Sequence, residues 1–144
     1  MDTGPYLKAA LFCSDAIEGK DGVLSLIRII DRMTVAAAGP QPPQEMPTVS
    51  RVLKLVLMFI SGRTKGTQNV EIKSEGPDGK TEVVWGGTVF FEGEDRGANL
   101  IIDMNIDFQR EGLYWFDIYF EGTRITRVPF RVIYQRAGRG MATS

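Results

Sequence analysis

Residues 98–109 read ANLIIDMNIDFQ, with Leu100, Ile102, Met104, Ile106 and Phe108 alternating against Asp103, Asn105 and Asp107. A period of two is what a half-buried strand requires, because successive side chains point to opposite faces. The same period recurs along the whole chain, broken by Gly, Pro, Asp or Asn, and no segment holds a helical period for three turns. The pattern predicts eight strands, at 6–13, 23–32, 49–60, 67–75, 81–91, 98–109, 113–121 and 125–134. EGPDGKT (75–81) is the clearest hairpin signal, with Asp-Gly at its turn, and EGKDG (18–22) and EGTR (121–124) are further tight connections. Short turns and no helix predict an all-β fold: a single antiparallel two-sheet β-sandwich, immunoglobulin-like or C2-like, with a closed β-barrel as the alternative. At 144 residues the chain suits one domain, expected over 1–135, followed by a flexible C-terminal tail at 136–144.

Two segments depart from simple alternation. The strand at 49–60 is apolar on both faces apart from Arg51 and Lys54, so it is either central or covered on its outer side. Residues 36–47, AAAGPQPPQEMP, hold four prolines and no periodicity, which predicts an extended crossover between the two sheets.

Composition removes many chemistries. The chain has no histidine, hence no Ser-His or Cys-His nucleophile and none of the usual zinc sites. Its single cysteine, Cys13, rules out an internal disulfide and thiolate clusters, suits a reducing compartment, and falls in the alternation of the first strand as a small hydrophobe. GPDGKT ends like a phosphate-binding loop, but a strand follows where a helix N-terminus is needed. Seventeen basic against 18 acidic residues give no general drive toward nucleic acid or anionic membrane. The longest apolar run, 55–60, is too short to span a bilayer. The expectation is a cytoplasmic protein that is not an enzyme, with no catalytic, cofactor-binding or metal-binding residues and no cofactor.

Charge is unevenly placed. Residues 92–121 carry eight acids against Arg96 and Arg110, whereas from 123 onward there are five arginines and no acid. Neighbouring strands of one sheet could neutralise each other this way, or the surface could be dipolar and dock a charged partner or a second copy. The stretch EGLYWFDIYFEGTRITRVPFRV (111–132) bears on the choice, because Trp115 and Tyr119 fall on the side of their strand opposite Tyr114, Phe116 and Ile118. A three-residue loop at Gly122–Arg124 would set Trp115 opposite Arg131 and Tyr119 opposite Arg127, so that guanidinium groups stack on the rings. Trp115, Tyr119, Arg127 and Arg131 are therefore the candidate interaction surface. Acidic loops at one end of a sandwich can hold calcium, which makes Asp15, Asp21, Glu92, Glu94 and Asp95 candidate calcium-loop residues. Arg63, Lys65 and Arg124 are expected at that same end and could neutralise them.

ALFCSDAIEGKDGVLSLIRII (10–30), GPDGKT (76–81) and REGLYWFDIYFEGTRITRVPFRV (110–132) together resemble a family of small uncharacterised bacterial proteins, a domain of unknown function. The sequence departs from that pattern at Ser14, where an acid is usual, and at Trp115. The resemblance implies a single cytoplasmic β-sandwich of no assigned activity, and it supplies no catalytic residues. The resulting functional expectation is a non-catalytic binding or assembly module acting through protein–protein contacts or self-association, with a homodimer as one form. The alternative is a sandwich that binds a small ligand, carbohydrate or calcium, which predicts a concave pocket near Trp115 or Trp85.

Overall fold

The computed structural model describes residues 4–137. Among these described residues nine strands form in chain order: β1 (Tyr6–Glu18), β2 (Leu24–Ile30), β3 (Arg32–Ala38), β4 (Val49–Ile60), β5 (Lys65–Glu75), β6 (Thr81–Glu92), β7 (Gly97–Phe108), β8 (Gly112–Phe120) and β9 (Thr123–Ala137). They make two separate sheets rather than a closed barrel. Sheet A has the order β2-β1-β4-β7, and sheet B the order β3-β9-β8-β5-β6. The expected β-sandwich is borne out. β9 runs through Ala137, and residues 138–144 of the expected tail lie outside the described residues.

Two details correct the reading from sequence. The expected strand at 23–32 is the whole of β2 plus the start of β3, and the chain changes sheet through the single residue Asp31, whose carbonyl accepts the Arg131 amide. β3 then pairs with β9 in parallel, Arg32 beside Arg131, so the sandwich is not purely antiparallel. Residues 36–38, read as part of the crossover, belong to this strand; the connection that follows does pass from sheet B to sheet A, as expected. It is fastened by Met46, buried in the core, and by Tyr134, whose hydroxyl donates to the Pro43 carbonyl.

The core lies between the sheets. Leu53, Leu55, Leu57 and Phe59 of β4 meet Tyr114, Phe116 and Ile118 of β8 and Val128, Phe130 and Val132 of β9. Edge-to-face rings dominate it: Phe12 against Phe116 (5.0 Å) and Phe130 (5.3 Å), Phe108 against Tyr114 (4.9 Å), and Phe59 against Phe91 (5.6 Å). Trp85 packs at the margin of this core, and a Cβ placed on Gly87 would lie 2.4 Å from its indole, so any larger residue there must displace the ring.

The doubly apolar strand does have a cover. Val56 and Cys13 are fully buried but stand outside the between-sheet cluster, since they alternate with Leu55, Leu57 and Phe12. They lie on the outer face of sheet A. β1 pairs with β4 only as far as Cys13, opposite Lys54; from Asp15 onward its partner is β2 alone. This distal part of the β1–β2 hairpin folds back over the sheet. Asn99 of β7 donates to Glu18, and Gly22, Val23 and Leu24 share a pocket with Met58, Ile60 and Gly97. Arg28, at φ 56°, sits at the bend, between the paired stretches Cys13–Ile29 and Asp15–Ile27. A non-glycine residue at positive φ costs about 1 kcal/mol, which the packed hairpin must offset.

Candidate interaction surface

The outer face of sheet B is built on β8. Tyr114, Phe116 and Ile118 enter the core, so Trp115, Asp117 and Tyr119 point outward. The β8–β9 turn consists of Glu121 and Gly122 alone, at φ 46° and 81°, because Phe120 pairs directly with Thr123. Positive φ at both central residues is the form that matches strand twist in a two-residue hairpin. The expected three-residue loop is thereby corrected, and the register moves by two positions. Trp115 lies opposite Pro129 and Asp117 opposite Arg127; a bulge after Ile118 then sets Tyr119 opposite Arg124. A shift of two keeps every side chain on its expected face while changing its partners.

Arg127 is the hub of the face. Its guanidinium lies 4.6 Å from the centroid of the Trp115 ring, its Nε donates to Asp117 at 2.7 Å, and it reaches Glu75 at 3.5 Å. Arg124 approaches the other Asp117 oxygen at 3.7 Å. Tyr119 carries the ammonium of Lys73 at 4.5 Å, and Lys73 in turn pairs with Glu71 at 3.7 Å. The aromatic–cation tiling foreseen from sequence is present, but Trp115 takes Arg127 rather than Arg131, and Tyr119 takes Lys73 rather than Arg127. Arg131 is exposed, and its side chain has no ionic or hydrogen-bond partner among the described residues.

Asp117 is the residue that sequence reasoning missed. It is 6% exposed although it points outward, because the two arginines and the flanking rings close over it. The available signal was a carboxylate two positions from an outward Trp and two from an outward Tyr. A buried carboxylate needs such partners, since an unpaired one is costly to desolvate. The Asp117 bond holds the Arg127 guanidinium strongly protonated.

The acidic calcium-loop candidates are dispersed. Asp15 lies within β1 and accepts the Ala16 amide, while Asp21 accepts the Val23 amide in the β1–β2 turn. Glu92 and Glu94 are taken by Arg96, at 2.7 and 3.6 Å, and the Asp95 amide donates to the Gly62 carbonyl. Among the described residues no three His, Cys, Asp or Glu side chains gather as a metal site. Ser61, fully buried, ties this end together by donating to the Gly93 carbonyl at 3.0 Å. Cys13 is buried, and burial pushes its thiol up.

A polar cleft of about 510 Å³ opens at the opposite end of the sandwich, where β6 and β7 diverge. Asp78, Lys80, Glu82, Asp107 and Arg110 surround it. Arg110 pairs with Asp78 at 3.8 Å, and the Tyr114 hydroxyl donates to the Arg110 carbonyl at 2.6 Å. Trp115 and Trp85 do not line this cleft.

The model of a family described as "Family of unknown function (DUF6941)" matches residues 8–133. There is no significant match among curated proteins. Of solved structures, the chain is similar to part of β-glucosidase 3B from Thermotoga neapolitana, with TM-score 0.49 and 11% identity over 89% of this chain. It spans only 16% of that enzyme. It is also similar to the CARDB domain of the PF1109 protein from Pyrococcus furiosus, with TM-score 0.47 and 10% identity over 94% of this chain and 99% of that one. No helix among the described residues is long and apolar enough to cross a membrane.

Proposed function

The chain belongs to the DUF6941 family of unknown function, and within it we propose a non-catalytic, cytoplasmic binding module that docks another protein on the outer face of sheet B. The observation that carries this reading is the cluster of Trp115 under Arg127, with Asp117 held beneath by Arg127 and Arg124. Trp, Tyr and Arg dominate binding hot spots. Side chains already fixed by their neighbours lose less entropy when a partner covers them. The absence of histidine supports the non-catalytic part of the reading, since the commonest general base is missing. Affinity capture from the native cell tests the proposal by comparing the wild type with Trp115→Ala/Tyr119→Ala. Loss of captured proteins by the variant is expected; an unchanged set would contradict the reading.

A small polar ligand is the second reading. Its support is the cleft between β6 and β7, whose mixed carboxylates and cations could hold a compact zwitterion. Retained binding of such ligands after Asp78→Asn/Arg110→Gln would remove it.

A further inference from the structure

The uneven charge of the sequence takes a specific form in three dimensions. The acids of β7 and the arginines of β9 do not neutralise each other within one sheet, because β7 belongs to sheet A and β9 to sheet B. Asp103 and Asp107 point outward from sheet A, alternating with Ile102, Met104 and Phe108 in the core. Lys54 binds Asp103, the Ser50 hydroxyl binds Asp107, and Asp15 lies near enough to act on Lys54. Two carboxylates, Asp103 and Asp15, thus act on one ammonium, and Asp107 adds a third acid farther along β7, opposite Ser50. The back-folded hairpin covers Val56 but leaves this part open, for Val52, opposite Asn105, is 68% exposed.

The other side of the sandwich has the opposite surplus. Arg32 on β3, which pairs with Asp31 at 3.7 Å, stands beside Arg131 on β9, and Arg124 and Arg127 lie along the same strand as Arg131. Arg127 already engages Asp117 and Glu75, which leaves Arg131 without a carboxylate among the described residues. Each surplus borders apolar surface: Val52 on the acidic face, Trp115 and Tyr119 on the basic one.

We infer that these two faces are complementary, and that the protein docking on sheet B is a second copy of this chain, stacked head to tail. The inference rests on the reading of the sheet-B face as a docking surface and names its occupant. Each copy then offers its acidic sheet-A face to the arginine–aromatic face of the next. Such a contact is heterologous, so association continues past two copies into a ring or a filament. Charge attraction between exposed faces also makes it sensitive to salt.

Sedimentation velocity of the full chain tests this. At about 0.02 M salt the sedimentation coefficient is expected to rise with concentration beyond that of a dimer, and to return to the monomer value at about 0.5 M salt, where screening is nearly complete. Two neutralising variants, Asp103→Asn/Asp107→Asn and Arg32→Gln/Arg131→Gln, should each be monomeric alone. Mixed in equal amounts they should form a discrete dimer, because each keeps the one face the other lacks; that dimer would also show that both are folded. A monomeric wild type at low salt overturns the inference. So does a wild-type dimer that survives loss of Asp103 and Asp107 but not of Arg32 and Arg131; that result describes a symmetric sheet-B contact and leaves the docking reading standing. Association unchanged by either variant overturns the inference as well. The docking reading is judged separately, by capture with Trp115→Ala/Tyr119→Ala, and falls if that capture is unchanged.

Discussion

The outer faces of the two sheets meet the same difficulty in different ways. β4 and β8 both carry large apolar side chains on the side away from the core. On β4 these are aliphatic, with no polar handle, and the chain covers Val56 by bending the β1–β2 hairpin back at Arg28. On β8 they are Trp115 and Tyr119, whose ring faces attract cations, and Arg127 and Lys73 cover them without any additional chain. A cover made of chain seals its face. A cover made of single side chains leaves a face that a partner can still reach. The difference lies in side-chain chemistry, and it makes sheet B the surface on which binding is expected.

Substitutions on the two faces test this contrast. The largest effect is expected from Val56→Lys, which places a charge beneath the hairpin and should cost about 3 kcal/mol or more in a urea titration. The same change at exposed Val52 should stay within about 0.5 kcal/mol. Because Cys13 shares the sealed face, it should react slowly with a thiol reagent in the wild type and rapidly in Val56→Lys; equal rates would mean that the hairpin is no seal. Next comes Asp117→Ala, which removes the carboxylate beneath Arg127 and Arg124 and should cost about 1–3 kcal/mol. Trp115→Ala should cost about 1 kcal/mol or less, since that ring is only half-buried.

A smaller, pH-dependent effect belongs to the core. Burial pushes the Tyr114 hydroxyl above its ordinary 10.0, so the folded state favours the neutral phenol. Its contribution is complete below pH 10 and is lost as pH rises through the raised value. Stability should therefore fall more steeply above pH 10 in the wild type than in Tyr114→Phe.

Much of this was legible from alternation alone. Most of the strands, the core faces and the sides occupied by Trp115 and Tyr119 follow from a period of two, whereas the order of strands within each sheet does not. What escaped depends on non-local geometry. β2 and β3 read as one strand because Asp31 changes sheet without a glycine or proline to mark it. The alanines of β3 carry little strand signal, and β3 pairs with a strand almost 100 residues later. Partners across β8 and β9 were misassigned because Glu121, a non-glycine residue, adopts positive φ and shortens the turn to two residues. The pattern of 49–60 called for a centre or a cover; which segment supplies the cover depends on a bend at Arg28 that no local signal announces. Asp117 read as one acid among eight until its two arginines were placed around it.

Sheet B offers an open face, whereas the hairpin seals its part of sheet A. A photo-crosslinking residue placed at Tyr119, and in a second variant at Lys20 in the exposed β1–β2 turn, tests it in the native cell. Protein adducts are expected from position 119 and few or none from position 20. Adducts from position 20 with none from position 119 would contradict it.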